Sequence, residues 1–211
     1  MISKGKLSFI VGLAAVIWAV LLIAGGTTLP NDFFRPLSVV SGILMLLLIL
    51  FDKWFWHCAW LHPWLIARPD IRGTWKGELK SNWIDPKTGQ GIPAIEAYLV
   101  VRQTYSSASV RLVTAESSSE MLANAIVTDT DRRSKLVGAY RNTPRLLVRD
   151  RSPIHHGGVV LELEGAPVLR INGEYWTDRN TKGEMVFALR NPRLSMSFDS
   201  ARLLKFKELH K

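Results

Sequence analysis

The stretch GTWKGELKS, Gly73 to Ser81, decides how this chain is read. Trp75, Gly77 and Leu79 alternate with Thr74, Lys76, Glu78 and Lys80. A period of two puts one set on each side of an extended backbone, so the segment predicts a half-buried strand. Downstream, similar short runs recur: Ile95 to Gln103, Ser109 to Thr114, Glu120 to Val127, Lys135 to Arg141 and Leu146 to Asp150. Val159 to Glu164, Val168 to Trp176, Glu184 to Leu189 and Leu194 to Asp199 complete the series. Turn formers separate them, among them Asp85 to Gly89, Asn142-Thr143-Pro144, Gly165-Ala166-Pro167, Arg179 to Gly183 and Asn191-Pro192. No long helical period competes. Residues 68–211 therefore predict one all-β domain, an antiparallel barrel of about eight strands, whose closure removes exposed edges.

Upstream of Arg68 the composition changes. Two apolar runs, Leu7 to Gly26 and Leu37 to Phe51, carry no charge. At about 1.5 Å per residue, some 20 apolar residues span a hydrocarbon core. Residues 1–67 are therefore expected to form a two-helix transmembrane hairpin, tipped by the polar turn Thr27 to Arg35, with Pro36 opening the second helix. A signal peptide fits less well, because a second apolar run follows at once. Lys4 and Lys6 precede the first run, and Lys53, Arg68 and Arg72 follow the second. This bias places both termini and the large domain in the cytoplasm. Trp54, Phe55, Trp56, Trp60 and Trp64 suit an aromatic belt at the interface.

The net charge of the whole chain is +9. Residues 68–211 hold 23 Lys and Arg against 16 Asp and Glu, a difference of +7. The basic residues are scattered among acids, unlike the dense stripe of a DNA- or RNA-binding module. They suit an anionic ligand or a surface near anionic lipid. Cys58 is the single cysteine, so no internal disulfide forms. His155 and His156 lack further ligands at metal spacing, and no cofactor motif occurs. Nucleophile elbows, phosphate loops and metalloprotease motifs are absent too, so binding is expected rather than catalysis.

Polar and aromatic residues gather at strand ends. Tyr140 and Asn142 close one strand, and His156 opens the next. Tyr175, Trp176, Thr177, Asp178 and Arg179 form the densest group. Aromatic faces stack nucleobases, Arg neutralises phosphate, and Asn, Thr and Asp read base edges or ribose hydroxyls. These eight residues are the candidate ligand site, and a barrel mouth holding them suits a cyclic nucleotide. Tyr and Trp also pack barrel cores, and Asp178 with Arg179 also suits a simple turn.

The pattern Asp70-Ile71-Arg72-Gly73-Thr74-Trp75-x-Gly77-x-Leu79 after two apolar spans carries a family resemblance. Tyr140-x-Asn142-x-Pro144, His156-Gly157 and Gly173-x-Tyr175-Trp176-Thr177-Asp178-Arg179-x-Thr181-x-Gly183 sharpen it. Together they resemble the CD-NTase-associated protein 15 effectors of cyclic-oligonucleotide-based antiphage signalling (CBASS). The resemblance implies a partner nucleotidyltransferase that makes a cyclic dinucleotide on infection. It further implies that messenger binding drives homo-oligomerisation among the lipids of the inner membrane. Membrane disruption then kills the cell or arrests its growth. The opening Gly73-x-Trp75 also resembles lipocalins, which leaves a membrane-tethered carrier of an apolar ligand as the alternative. A scaffold protein and an enzyme are the weaker readings.

Overall fold

A computed structural model describes residues 4–24, 37–62, 66–85, 88–131 and 133–208. It divides into two compact units, Met1–Ala67 and Arg68–Lys211.

The first unit contains α1 (Lys4–Ala24) and α2 (Leu37–Lys53). Both expose apolar side chains, with Ile23 81 % and Met45 67 % accessible. Charge bounds each apolar stretch: Lys6 precedes the 18 residues from Leu7 to the end of α1, and Asp52-Lys53 closes α2. At 1.5 Å per residue the described part of each stretch rises about 27 Å or less, against a core of about 30 Å. Among the described residues no helix is long and apolar enough to cross a membrane. The expected turn over Thr27 to Arg35, Pro36 and Trp64 lie outside the described residues. After α2 come two short 3-10 turns, Phe55–His57 and Ala59–Leu61. Trp54, Phe55 and Trp60 are exposed, but Trp56 is fully buried, so the aromatic segment is not one uniform belt.

The second unit is a closed barrel. Its strands are β1 (Gly73–Ser81), β2 (Ile95–Gln103), β3 (Ala108–Thr114), β4 (Ser117–Thr128) and β5 (Ser134–Pro144). Then follow β6 (His155–Glu164), β7 (Arg170–Thr177), β8 (Lys182–Asn191) and the two-residue β9 (Lys207–Glu208). Each strand pairs antiparallel with the next, and β1 also pairs with β8, which closes the eight-stranded meander. Trp75, Leu99, Val101, Leu136, Leu161, Ile171 and Phe187 fill the interior from alternate positions.

Two segments differ from the sequence expectation. Leu146 to Asp150 is not a strand; Leu146–Val148 is a 3-10 turn in the β5–β6 connection, with Leu147 95 % exposed. β5 and β6 pair directly with each other, so this apolar run has no neighbouring strand to join. Leu194 to Asp199 is not a strand either. Ser197 accepts a hydrogen bond from the Ser200 backbone N–H and caps a short helix, α3 (Phe198–Arg202). Phe198 and Phe206 pack on Tyr98. The outer side of β2 is thereby covered, and residues 97–101 are buried on both faces.

Candidate functional site at the barrel mouth

The β1–β2, β3–β4, β5–β6 and β7–β8 connections surround one end of the barrel. A cavity of about 480 Å³ opens there, within the range of small-molecule sites. Leu99, Val110, Val159, Leu161 and Met185 line its depth. This end is therefore not filled by side chains, whereas the opposite end is packed around Trp75 and Phe187.

Above the apolar floor sit Tyr140 and Tyr175. Each faces a glycine on the next strand: Tyr140 pairs with Gly157, and Tyr175 with Gly183. A Cβ at Gly157 would come within 2.5 Å of the Tyr140 hydroxyl, and one at Gly183 within 2.6 Å of the Tyr175 ring. The glycines thus leave room for the rings to lie against the wall. Burial pushes both phenols above the ordinary tyrosine range, and for Tyr140 the neighbouring Tyr175 and Asp178 add to it. Both hydroxyls are therefore neutral donors at physiological pH.

Nearer the opening, Ser119, Asn142 and His155 stand side by side across β4, β5 and β6. The Ser119 hydroxyl donates to Asn142 Oδ1 at 2.9 Å. His155 Nδ1 lies 2.9 Å from the Pro153 carbonyl. A carbonyl only accepts, so Nδ1 carries the proton. Burial holds His155 below the ordinary histidine range, and the positive charge of Arg179 adds to this.

The β7–β8 turn carries Arg179. The Thr177 hydroxyl accepts from the backbone N–H of Arg179 and of Thr181, while Asn180 takes a left-handed φ of 58°. The Asp178 carboxylate accepts from the His156 N–H at 2.9 Å, and the Asp178 N–H donates to the His156 carbonyl. These bonds fix the turn against β6. Arg179 then lines the cavity with its Nε buried and without a hydrogen-bond partner among the described residues. Its Nη1 makes only a long 3.4 Å bond to Ser152. Among the described residues no carboxylate pairs with it. Arg151 also reaches the rim but is already paired with Glu116.

Of the sequence-derived candidates, Tyr140, Asn142, Tyr175, Thr177 and Arg179 line the cavity together. His156, Trp176 and Asp178 do not. His156 and Trp176 fall on outward positions of their strands, and Trp176 is 52 % exposed. Asp178 fastens the turn. Ser119, Ser152 and Trp83 line the cavity and were not expected, and of the adjacent strand-end pair His155-His156 it is His155 that lines it. For His155 the usable signal was register: it is the cross-strand partner of Asn142, so the two share a face.

Residues 66–188, more than half of the chain, match the model of the Cap15 cyclic dinucleotide receptor domain. The chain belongs to the Cap15 receptor family. No curated protein sequence matches it. The Cap15 match begins just before β1 and ends within β8, so it contains every cavity-lining residue described above. Family membership implies a CBASS effector that binds a cyclic dinucleotide, and no catalytic domain is identified in the chain.

Proposed function

We propose that the barrel mouth is the messenger pocket of a CBASS membrane effector. The observation that carries this reading is Arg179, half-buried over an apolar cavity, with its Nε shielded and, among the described residues, no carboxylate partner. Partial desolvation of a cation costs free energy unless something neutralises it. The phosphodiesters of a cyclic dinucleotide supply that charge and accept its free N–H groups. Tyr140 and Tyr175 offer flat faces for the bases, Asn142 offers a polar edge, and Thr177 holds the turn that carries Arg179.

Messenger binding favours assembly of copies of the chain in the bacterial inner membrane, with both termini cytoplasmic. A partner nucleotidyltransferase makes the messenger. The exposed apolar surface of α1 and α2 supports a lipid environment for residues 1–67. Helices slightly shorter than the bilayer core are accommodated by local thinning and by flanking interfacial residues. Crowding of hairpins then breaks the membrane, leading to cell death or growth arrest.

A thermal-shift panel on the detergent-solubilised full chain tests the pocket. One cyclic dinucleotide is expected to raise the melting temperature in a concentration-dependent way. No shift with any cyclic di- or trinucleotide counts against the reading. A lipid retained in native mass spectrometry favours instead an apolar-ligand carrier, which the floor of Leu99, Val110 and Leu161 also suits.

A further inference from the structure

The messenger reading leaves open how the pocket tells one nucleobase from another. His155 is 7 % exposed, lines the cavity, and is anchored by its Nδ1–H to the Pro153 carbonyl. That anchor fixes the tautomer, so Nε2 carries a lone pair and no proton. Among the described residues no donor bonds Nε2. A phosphate oxygen is an acceptor and cannot satisfy it; the group that fits is an N–H or O–H donor on the ligand. Arg179 provides the cationic side of the same mouth, so the two residues divide the ligand by chemistry. Beside His155 stands Asn142, its cross-strand partner, whose amide presents further polar atoms on the same face. One layer deeper lie the Tyr140 and Tyr175 rings. A base stacked on a tyrosine presents its edge, not its face, to this row.

We propose that His155 is a specificity-determining residue whose Nε2 accepts a hydrogen bond from the exocyclic amine of a messenger nucleobase. This rests on the messenger reading of the pocket. The neutral state needed for acceptance agrees with the burial of the ring and with Arg179 beside it. Asp178 and His156 are the other titratable groups acting on the ring, and Asp178 is engaged with the His156 backbone.

The test combines a change in the protein with a change in the ligand. Binding of the full chain in detergent is measured by titration with cyclic dinucleotides containing adenine, guanine, cytosine or uracil. The tightest is compared with its desamino analogue, in wild type and in His155→Phe. Wild type is expected to bind the desamino analogue about 10-fold more weakly, as for one lost hydrogen bond to a buried group. His155→Phe is expected to bind both ligands equally, at the weaker level. If His155→Phe does not fold, His155→Gln, which keeps an acceptor, and Asn142→Ala take its place: retained discrimination in both supports the proposal, and its loss in Asn142→Ala alone overturns it. Equal affinity of wild type for both ligands overturns the proposal. Equal weakening of both by His155→Phe, with amine discrimination intact, overturns it too and leaves His155 a structural role through Pro153. Selection of a messenger containing only uracil also overturns it. If wild type binds no cyclic dinucleotide, the messenger reading itself fails and this inference falls with it.

Discussion

Arg179 and Trp176 lie three residues apart in one sequence block, yet the barrel sends them to opposite sides. Arg179 faces the cavity from a turn held by Thr177 and Asp178. Trp176 lies outside, with its ring over Gly158. Arg179→Ala is therefore expected to weaken cyclic dinucleotide binding about 10- to 100-fold, the loss of charged hydrogen bonds. Trp176→Ala is expected to change affinity less than about threefold, because interaction energies concentrate in groups that contact the ligand. Calorimetric titration of both variants checks this. A Trp176→Ala effect as large as that of Arg179→Ala would contradict the assigned sides. The same phase problem explains why the sequence does not say which of the adjacent pair His155-His156 faces the cavity. Adjacent strand residues face opposite ways, and only register with a neighbouring strand says which faces in. That register is a property of the folded sheet. Tyr140, Asn142, Tyr175, Thr177 and Arg179 were legible because their chemistry gathers at strand ends whatever the register.

Among the elements, β1 and β2 were legible to the residue, since clear alternation or β-branched enrichment is bounded by Gly, Asn or Ser. Leu146–Val148 was not, because a three-residue apolar run has no period to read, and Leu194 to Asp199 was not, because it alternates in the strand period although Ser197 caps a helix there. Their fate depends on whether a neighbouring edge is open; β1 and β8 close the barrel, and Lys207–Glu208 takes the end of β8 at Leu189 and Arg190. The closed end also depends on a polar cluster that strand patterns do not reveal. Asp70 accepts bonds from the Arg72 backbone and guanidinium at 2.8–3.0 Å, and Arg190 approaches it at 3.4 Å. Arg190 lies over the Trp75 ring with its guanidinium 5.2 Å from the ring centre. Gln103 donates to the Pro69 carbonyl and accepts from the Ile71 N–H. The cluster ties the segment entering the barrel to β2 and β8. Burial works to raise the Asp70 pKa, but the Arg72 hydrogen bonds and the charges of Arg190 and Arg72 outweigh it and hold the carboxyl below the ordinary aspartate range. Its contribution to stability is therefore complete above the unfolded value near 3.8 and is lost as pH falls through the lower folded value. Asp70→Asn is expected to destabilise the barrel by about 1–2 kcal/mol at neutral pH. The gap from wild type should begin to narrow as pH falls below about 4. Thermal melts of both proteins at pH 7 and pH 3 check this. A gap that is no smaller at pH 3 than at pH 7 points to geometry rather than charge.

For the whole molecule, two units of opposite surface character sit on one chain. The barrel buries its apolar residues inside, while α1 and α2 leave theirs exposed. Single exposed apolar residues are ordinary, but a continuous apolar surface on two helices calls for lipid or for other helices to cover it. The cavity offers a chemical signal a way to bias that choice. A ligand shifts assembly only if it binds the assembled state more tightly than the dispersed one. On the proposed membrane reading, confinement to a bilayer raises the effective concentration of residues 1–67, so a small difference in affinity suffices. This view predicts a strict division of labour. The full chain, reconstituted in anionic phospholipid vesicles loaded with a fluorescent dye, should release dye when its cyclic dinucleotide is added. Residues 68–211 alone should release none at any ligand concentration, because they lack the hairpin. Full-length Arg179→Ala should need at least about tenfold more ligand for half-maximal release, in step with its loss of affinity. Release by the barrel alone would move the membrane-active surface out of residues 1–67. Release by the full chain without ligand would separate the hairpin's action from the pocket, and the barrel would no longer be its trigger.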